Sequence, residues 1–169
     1  CQYNTLFEQI DDCWGDIVET GSKREVRIDT SCGFLKGSGG QRHAGSTLLG
    51  FDQGGDQDID FIMGNISFPN LLLVENGGDK DSAFIVRQDT LYPSYDVPFD
   101  CNIFGVSFLA DVNNDGLKDL LAAPNEPKRS KNFDCSWYYK NIGDSNNYIF
   151  EFVTDTFLVK DMIDFGEGA

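Results

Sequence analysis

The chain has little of what most enzymes and nucleic-acid binders depend on. It carries one histidine, His43, in 169 residues, and 13 basic side chains against 28 acidic ones. Any Ser-His-Asp or Cys-His arrangement would have to use His43, whose Arg42 and Ala44 neighbours suggest no such role, so no nucleophile–base pair is expected. The formal charge of −15 repels phosphate backbones and anionic lipid heads, so neither nucleic acid nor an anionic membrane is an expected partner. No apolar run is long enough to span a bilayer, and no signal peptide is visible. None of the five cysteines sits in a C-x-x-C pair, which removes the usual basis for a zinc site. Helical periodicity is missing across residues 44–169. What remains is 40% hydrophobic, enough for a packed core, with 18 glycines.

The cysteines, Cys1, Cys13, Cys32, Cys101 and Cys135, are widely spaced in an acidic, glycine-rich sequence. That spacing fits disulfides formed in an oxidising compartment. Cys101 and Cys135 each precede a strand of one repeat unit and are expected to pair. Cys13–Cys32 is the second expected bridge. The odd count leaves Cys1 as a free thiol, a lipid-modified terminus or the half of a bridge to another chain segment.

The dominant signal is an internal repeat. Asp52, Asp56 and Asp60 recur as Asp111, Asp115 and Asp119 at a constant offset of 59 (111 − 52). Leu71-Leu72-Leu73-Val74-Glu75-Asn76-Gly77-Gly78 then pairs with Ser136-Trp137-Tyr138-Tyr139-Lys140-Asn141-Ile142-Gly143 at an offset of 65 (141 − 76). Asp89-Thr90-Leu91 matches Asp155-Thr156-Phe157 at 66 (155 − 89). Three segments recurring in order make a duplication a better reading than one acidic loop met twice by chance.

Each unit reads as four strands. In the first unit they are expected at 46–51, 60–64, 71–75 and 83–91, and in the second at 103–110, 119–123, 136–140 and 148–158. The third strands end at Asn-Gly-Gly and Asn-Ile-Gly turn signals. Residues 1–43 break the pattern, although 25–29 alternates like a strand. The predicted class is all-β, with four antiparallel strands per period of roughly 60 residues, the size of one propeller blade.

The aspartates between the first two strands of each unit carry the chemistry. Asp111, Asn113, Asp115 and Asp119 place oxygen side chains at loop positions 1, 3, 5 and 9, and the Leu117 carbonyl at position 7 adds another. Calcium, a hard ion, takes six to eight oxygens at about 2.3–2.6 Å. An EF-hand is excluded because position 12 is Ala122, inside an apolar strand, where a bidentate Glu is needed. The first loop keeps Asp52, Asp56 and Asp60 but has Gly54 at position 3 and Gln57 in place of the position-6 glycine. Asp58 at position 7 offers its carbonyl, with its carboxylate expected to face solvent. The alternative for that loop is a plain turn held by aspartate–backbone hydrogen bonds. Trp137, Tyr138 and Tyr139 suit either a sugar platform or packing between sheets, and packing is the expectation.

The D-x-N-x-D-G-x-x-D-L run from Asp111 to Leu120 resembles the calcium loop of FG-GAP/VCBS repeats, as in integrin α-subunit propellers and secreted repeat proteins of Bacteroidetes. The resemblance covers residues 44–169 and implies a piece of a larger β-propeller. On that reading 1–43 belongs to a preceding blade or an insertion, 44–102 and 103–160 are two repeats, and 161–169 opens a third. It implies Ca²⁺ bound by Asp111, Asn113, Asp115, Leu117 and Asp119, and by Asp52, Asp56, Asp58 and Asp60. It also implies a secreted or cell-surface, non-catalytic module for adhesion to a protein or glycan, exported in its relatives by type IX secretion. The alternatives are a lectin-like propeller and a non-catalytic part of a polysaccharide-degrading enzyme.

Overall fold

Alternation of apolar and polar residues places one side of each strand against a neighbouring layer, and short aspartate- or asparagine-rich turns reverse the chain. In the computed structural model, residues 46–126 and 135–161 are described in full, together with the backbone of residues 2–3, 9–11, 15, 17–19 and 26–28. The early strands β1 (Gln2–Tyr3), β2 (Gln9–Asp11), β3 (Ile17–Glu19) and β4 (Val26–Ile28) form two antiparallel pairs, β1–β2 and β3–β4. The strand expected over 25–29 is β4. Two four-stranded antiparallel meanders follow. The first is β5 (Ser46–Phe51), β6 (Asp60–Asn65), β7 (Leu71–Asn76) and β8 (Ile85–Tyr92). The second is β9 (Gly105–Ala110), β10 (Asp119–Pro124), β11 (Trp137–Asn141) and β12 (Phe150–Thr154). The fold is therefore all-β. Among the described residues no helix is long and apolar enough to cross a membrane.

The duplication is physical as well as textual. Phe51 pairs with Asp60 and Ser46 with Asn65, while Ala110 pairs with Asp119 and Gly105 with Pro124, so both first hairpins share one register. In the third hairpins Asn76 faces Ile85 and Asn141 faces Phe150, both displaced by 65 (150 − 85). One device sets both turns. The Asn76 side-chain oxygen accepts from the amides of Gly78 and Phe84, and that of Asn141 accepts from Gly143 and Ile149. Asp79 and Asp144 then each close the tip by accepting two amides, from Asp81 and Ser82 and from Asn146 and Asn147. The second fourth strand is shorter than expected. After Thr154 the chain turns, with the Phe157 amide returning to the Ser136 carbonyl.

The two sheets stack front to back. The first turns Phe51, Ile62, Leu71 and Leu73 into the shared core, with Leu49 packed beside them. The second meets them with Leu120, Ala122, Trp137, Tyr139 and Phe150. These faces are not equivalent. By the repeat offsets, Leu120, Ala122 and Tyr139 correspond to Phe61, Met63 and Val74. Those residues alternate with the core set of the first sheet and lie on its other side. There Met63, Leu72, Val74 and Ile85 form a small separate cluster, with the Gly15 backbone set against Ile85. The counterparts of Leu49 and Ile62 are Phe108 and Leu121, on the outward side of the second sheet, where Phe108 is 56% exposed. A front-to-back contact of this kind is heterologous: it leaves the Phe108 side of the second sheet open, while the Val74–Ile85 side of the first is covered in part around Gly15.

Two expectations need correction or completion. Cys101 and Cys135 are not joined: Cys101 is buried with its sulfur against the Pro69 and Ile103 carbonyls, and burial pushes its thiol up to about 11. Strand-end position in the sequence does not fix where a thiol points, and here the inter-sheet core takes the Cys101 side chain. The Cys13–Cys32 pair, Cys1 and His43 lie outside the described residues. Trp137, Tyr138 and Tyr139 are all buried, so the packing expectation holds and these three rings offer no sugar platform.

At one end of the stack the sheets touch through backbone. A Cβ on Gly64 would lie 1.8 Å from the Gly105 carbonyl oxygen, and the Thr47 hydroxyl already donates to that oxygen at 2.7 Å. Gly64→Ala is therefore expected to force the sheets apart and lower unfolding stability by about 2 kcal/mol or more. Gly116→Ala, with open space around it and a cost only from its φ of +88°, is expected to lose about 1 kcal/mol. Chemical denaturation of both variants checks the order, and equal losses would contradict the close-approach account.

Candidate metal centres in the two aspartate loops

Both loops fold around their first aspartate. The Asp52 carboxylate accepts from the amides of Gly55 (2.6 Å), Asp56 (3.1 Å) and Gln57 (3.0 Å). Asp111 accepts from Asp115 (3.1 Å) and Gly116 (3.0 Å). Turning these amides inward requires left-handed backbone at two equivalent places, Gly55 (φ 72°) with Asn114 (φ 61°) and Gln57 (φ 74°) with Gly116 (φ 88°). Gln57 thus adopts the conformation that glycine holds in the second loop, at a cost of roughly 1–2 kcal/mol. The sequence departure at position 6 does not change the turn.

The last aspartate of each loop is buried and acts as a bracket. Asp60 accepts from Gln53 of its own loop at 2.7 Å and from Asn76 at the end of β7 at 2.8 Å. Asp119 repeats this with Val112 at 3.2 Å and Asn141 at 2.8 Å, and accepts the Tyr138 hydroxyl at 3.1 Å. Burial raises the Asp60 carboxyl, and the two amide bonds oppose that rise. Each bracket ties the loop between the first two strands to the third strand, so loop conformation and sheet register are one constraint.

Asp58 overturns its expectation. Its side chain is 1% exposed, and neither carboxylate oxygen has a hydrogen-bond partner. Burial, followed by the charge of Asp60 and contact with Asp56, pushes its carboxyl up to about 6, and Asp52 adds to the rise. The neighbouring Ile59 is 46% exposed, an inversion of the usual apolar-in pattern. No local pattern marks this, because Asp56 and Asp58 lie in the turn before β6 and Asp56, two residues earlier, is exposed. Gln53 is similarly incomplete: its amide nitrogen donates to the Tyr148 carbonyl of the second sheet at 2.7 Å, but its side-chain oxygen is buried without a partner. The first loop therefore sits against the β11–β12 hairpin, where a Cβ on Gly55 would lie 2.6 Å from that of Asn146.

The second loop is more open. Asn113 accepts from the Asp115 amide at 2.8 Å, and Asp115 accepts from the Leu117 amide at 3.0 Å. That amide bond, aided by Asn113 and by Lys140 with its ammonium 3.8 Å away, holds the Asp115 carboxyl below its ordinary value. In the first unit the place of Lys140 is taken by Glu75, which pairs with Arg87 at 3.0 Å.

Among the described residues, no three His, Cys, Asp or Glu side chains already stand in a metal-holding arrangement. The carboxylates are instead committed to hydrogen bonds: Asp52 Oδ1 and Asp119 Oδ2 each accept two, while Asp52 Oδ2 and both oxygens of Asp60 and of Asp111 accept one and keep a lone pair. The donor set is all oxygen, which suits hard cations of the calcium type and not zinc or copper. The orphaned Asp58 carboxylate fits such an ion, because a buried unpaired anion is costly until a cation neutralises it. No family model, curated protein or solved structure matches the chain.

The brackets give a test that does not involve metal. In chelator, Asp119→Ala strands the Val112 and Asn141 amides and is expected to cost on the order of 3 kcal/mol by urea unfolding. Asp119→Asn, which keeps one acceptor oxygen, is expected to cost less. A loss below about 0.5 kcal/mol for Asp119→Ala, typical of a surface site, would contradict the bracket.

Proposed function

We propose that the chain is a calcium-stabilised pair of FG-GAP/VCBS-type blades from a secreted or cell-surface β-propeller, and that it binds a protein or glycan instead of transforming a substrate. The observation carrying this reading is the recurrence of the whole aspartate loop, with its left-handed residues and its bracket to the third strand, once per four-stranded sheet. A sequence that duplicates only a strand pattern has no need to duplicate a nine-residue acidic turn. Front-to-back stacking supports a propeller made of more units, because each sheet offers two different faces: the first has Gly15 packed on its outer side, and the second leaves its Phe108 side for a neighbour in the same protein. Calcium serves the fold: it neutralises carboxylates that the turn has drawn together, and rigid loops at a blade end make a surface for a partner. The lectin-like alternative loses support from the burial of Trp137, Tyr138 and Tyr139.

The metal part is tested by thermal unfolding in calcium and in chelator. An ion that binds only the native state at about 100 times its Kd adds about 2.7 kcal/mol. For a chain of this size that raises Tm by roughly 5–10 °C. Asp115→Ala is expected to shrink the gap between the two conditions. An unchanged wild-type Tm on chelation would leave the loops as plain turns.

A further inference from the structure

We infer that the first loop is the tighter divalent-cation site, and that the Asp58 carboxylate supplies the donor missing at Gly54. The inference rests on the calcium reading above and reverses the order that motif completeness suggests. By motif the second loop is complete and the first is short of one ligand. In both loops the position-5 carboxylate accepts the amide two residues on, but only in the second does a side chain at position 3, Asn113, take a further loop amide and an ammonium, that of Lys140, stand 3.8 Å from the position-5 carboxylate. The first loop holds four carboxylates, Asp52, Asp56, Asp58 and Asp60, against three in the second, Asp111, Asp115 and Asp119. It has Glu75, paired with Arg87, where the second has the Lys140 ammonium, so among the described residues no cation takes the place of Lys140 beside its position-5 carboxylate. Of the two loops it alone contains a carboxylate that is 1% exposed with both oxygens unpartnered, on a residue whose amide is held by the Asp56 carboxylate at 3.3 Å. Calcium affinity rises with the charge of the ligand set, so these differences favour the first loop.

The seat of that loop gives the ion a second consequence. Gln53 reaches from it to the Tyr148 carbonyl of the neighbouring sheet, and Gly55 abuts Asn146. An ion held by Asp58 and its neighbours therefore stiffens a contact between sheets, whereas one in the second loop stiffens only its own sheet and whatever lies beyond it.

Calorimetric titration of Ca²⁺ into the metal-stripped 169-residue chain tests this, with Asp58→Asn and Asp115→Ala alongside. Asp58→Asn is close in shape and removes a buried unpaired charge. It is expected to unfold no more easily than wild type in chelator, so a lost binding event would not reflect misfolding. The expected wild-type result is two events, of which Asp58→Asn weakens the tighter at least tenfold while Asp115→Ala weakens the other. A single event that Asp58→Asn abolishes and Asp115→Ala spares supports the inference equally. Binding whose tighter event survives Asp58→Asn overturns the inference and leaves the calcium reading standing. No binding by wild type overturns both.

Discussion

The structure turns on a carboxylate bridging two pieces of backbone that no strand ladder connects. Asp60 and Asp119 each hold an amide of their own loop and an amide at the end of the third strand. Both are buried, as are their bonds to the Asn76 and Asn141 amides, so those two amides have no water to fall back on. The loop cannot change shape without releasing the end of the third strand. That residue, Asn76 or Asn141, is also the one whose side chain shapes the following hairpin. One acidic side chain thus coordinates the first and third turns of a four-stranded sheet.

The packing of the sheets follows from repeating that unit. Because the same strand positions recur, each sheet has the same two faces, and a front face of one meets the back face of the next. Aromatic rings fill most of the junction, with Phe99 edge-on to Trp137 at 5.3 Å and Phe51 edge-on to Tyr148 at 5.4 Å. The segment between the units contributes as well: Tyr95 and Asp96 accept the Phe150 and Phe152 amides, covering the edge strand β12. An edge left bare would be a template for pairing with another chain.

Much of this was legible in the sequence, and the remainder was hidden for identifiable reasons. The offsets of 59 and 65, the position of each aspartate loop between first and second strands, and the Asn-initiated hairpins were all readable, because they depend on local turn chemistry. Strand ends shifted by one to four residues where side chains capped them, as after Thr154. The face each sheet presents to its neighbour was not readable, since both faces of the first sheet are apolar. Cys101 was misjudged because a place before a strand does not show that the thiol turns into the core, against the Pro69 and Ile103 carbonyls. Asp58 was misjudged because an acidic residue flanked by acids looks solvated, and only its neighbours in space reveal a buried, unpartnered carboxylate.

Amide hydrogen exchange, followed residue by residue with and without calcium, tests the bracket and its ion together. The account predicts that the Asn76 and Asn141 amides exchange among the slowest in both conditions, because carboxylates hold them in the interior. It predicts that the loop amides of Gly55, Asp56, Gln57, Asp115, Gly116 and Leu117 slow markedly on adding calcium. Loop amides indifferent to calcium, with Asn76 and Asn141 exchanging as freely as the tip amides of Asp81 and Asn146, would contradict it.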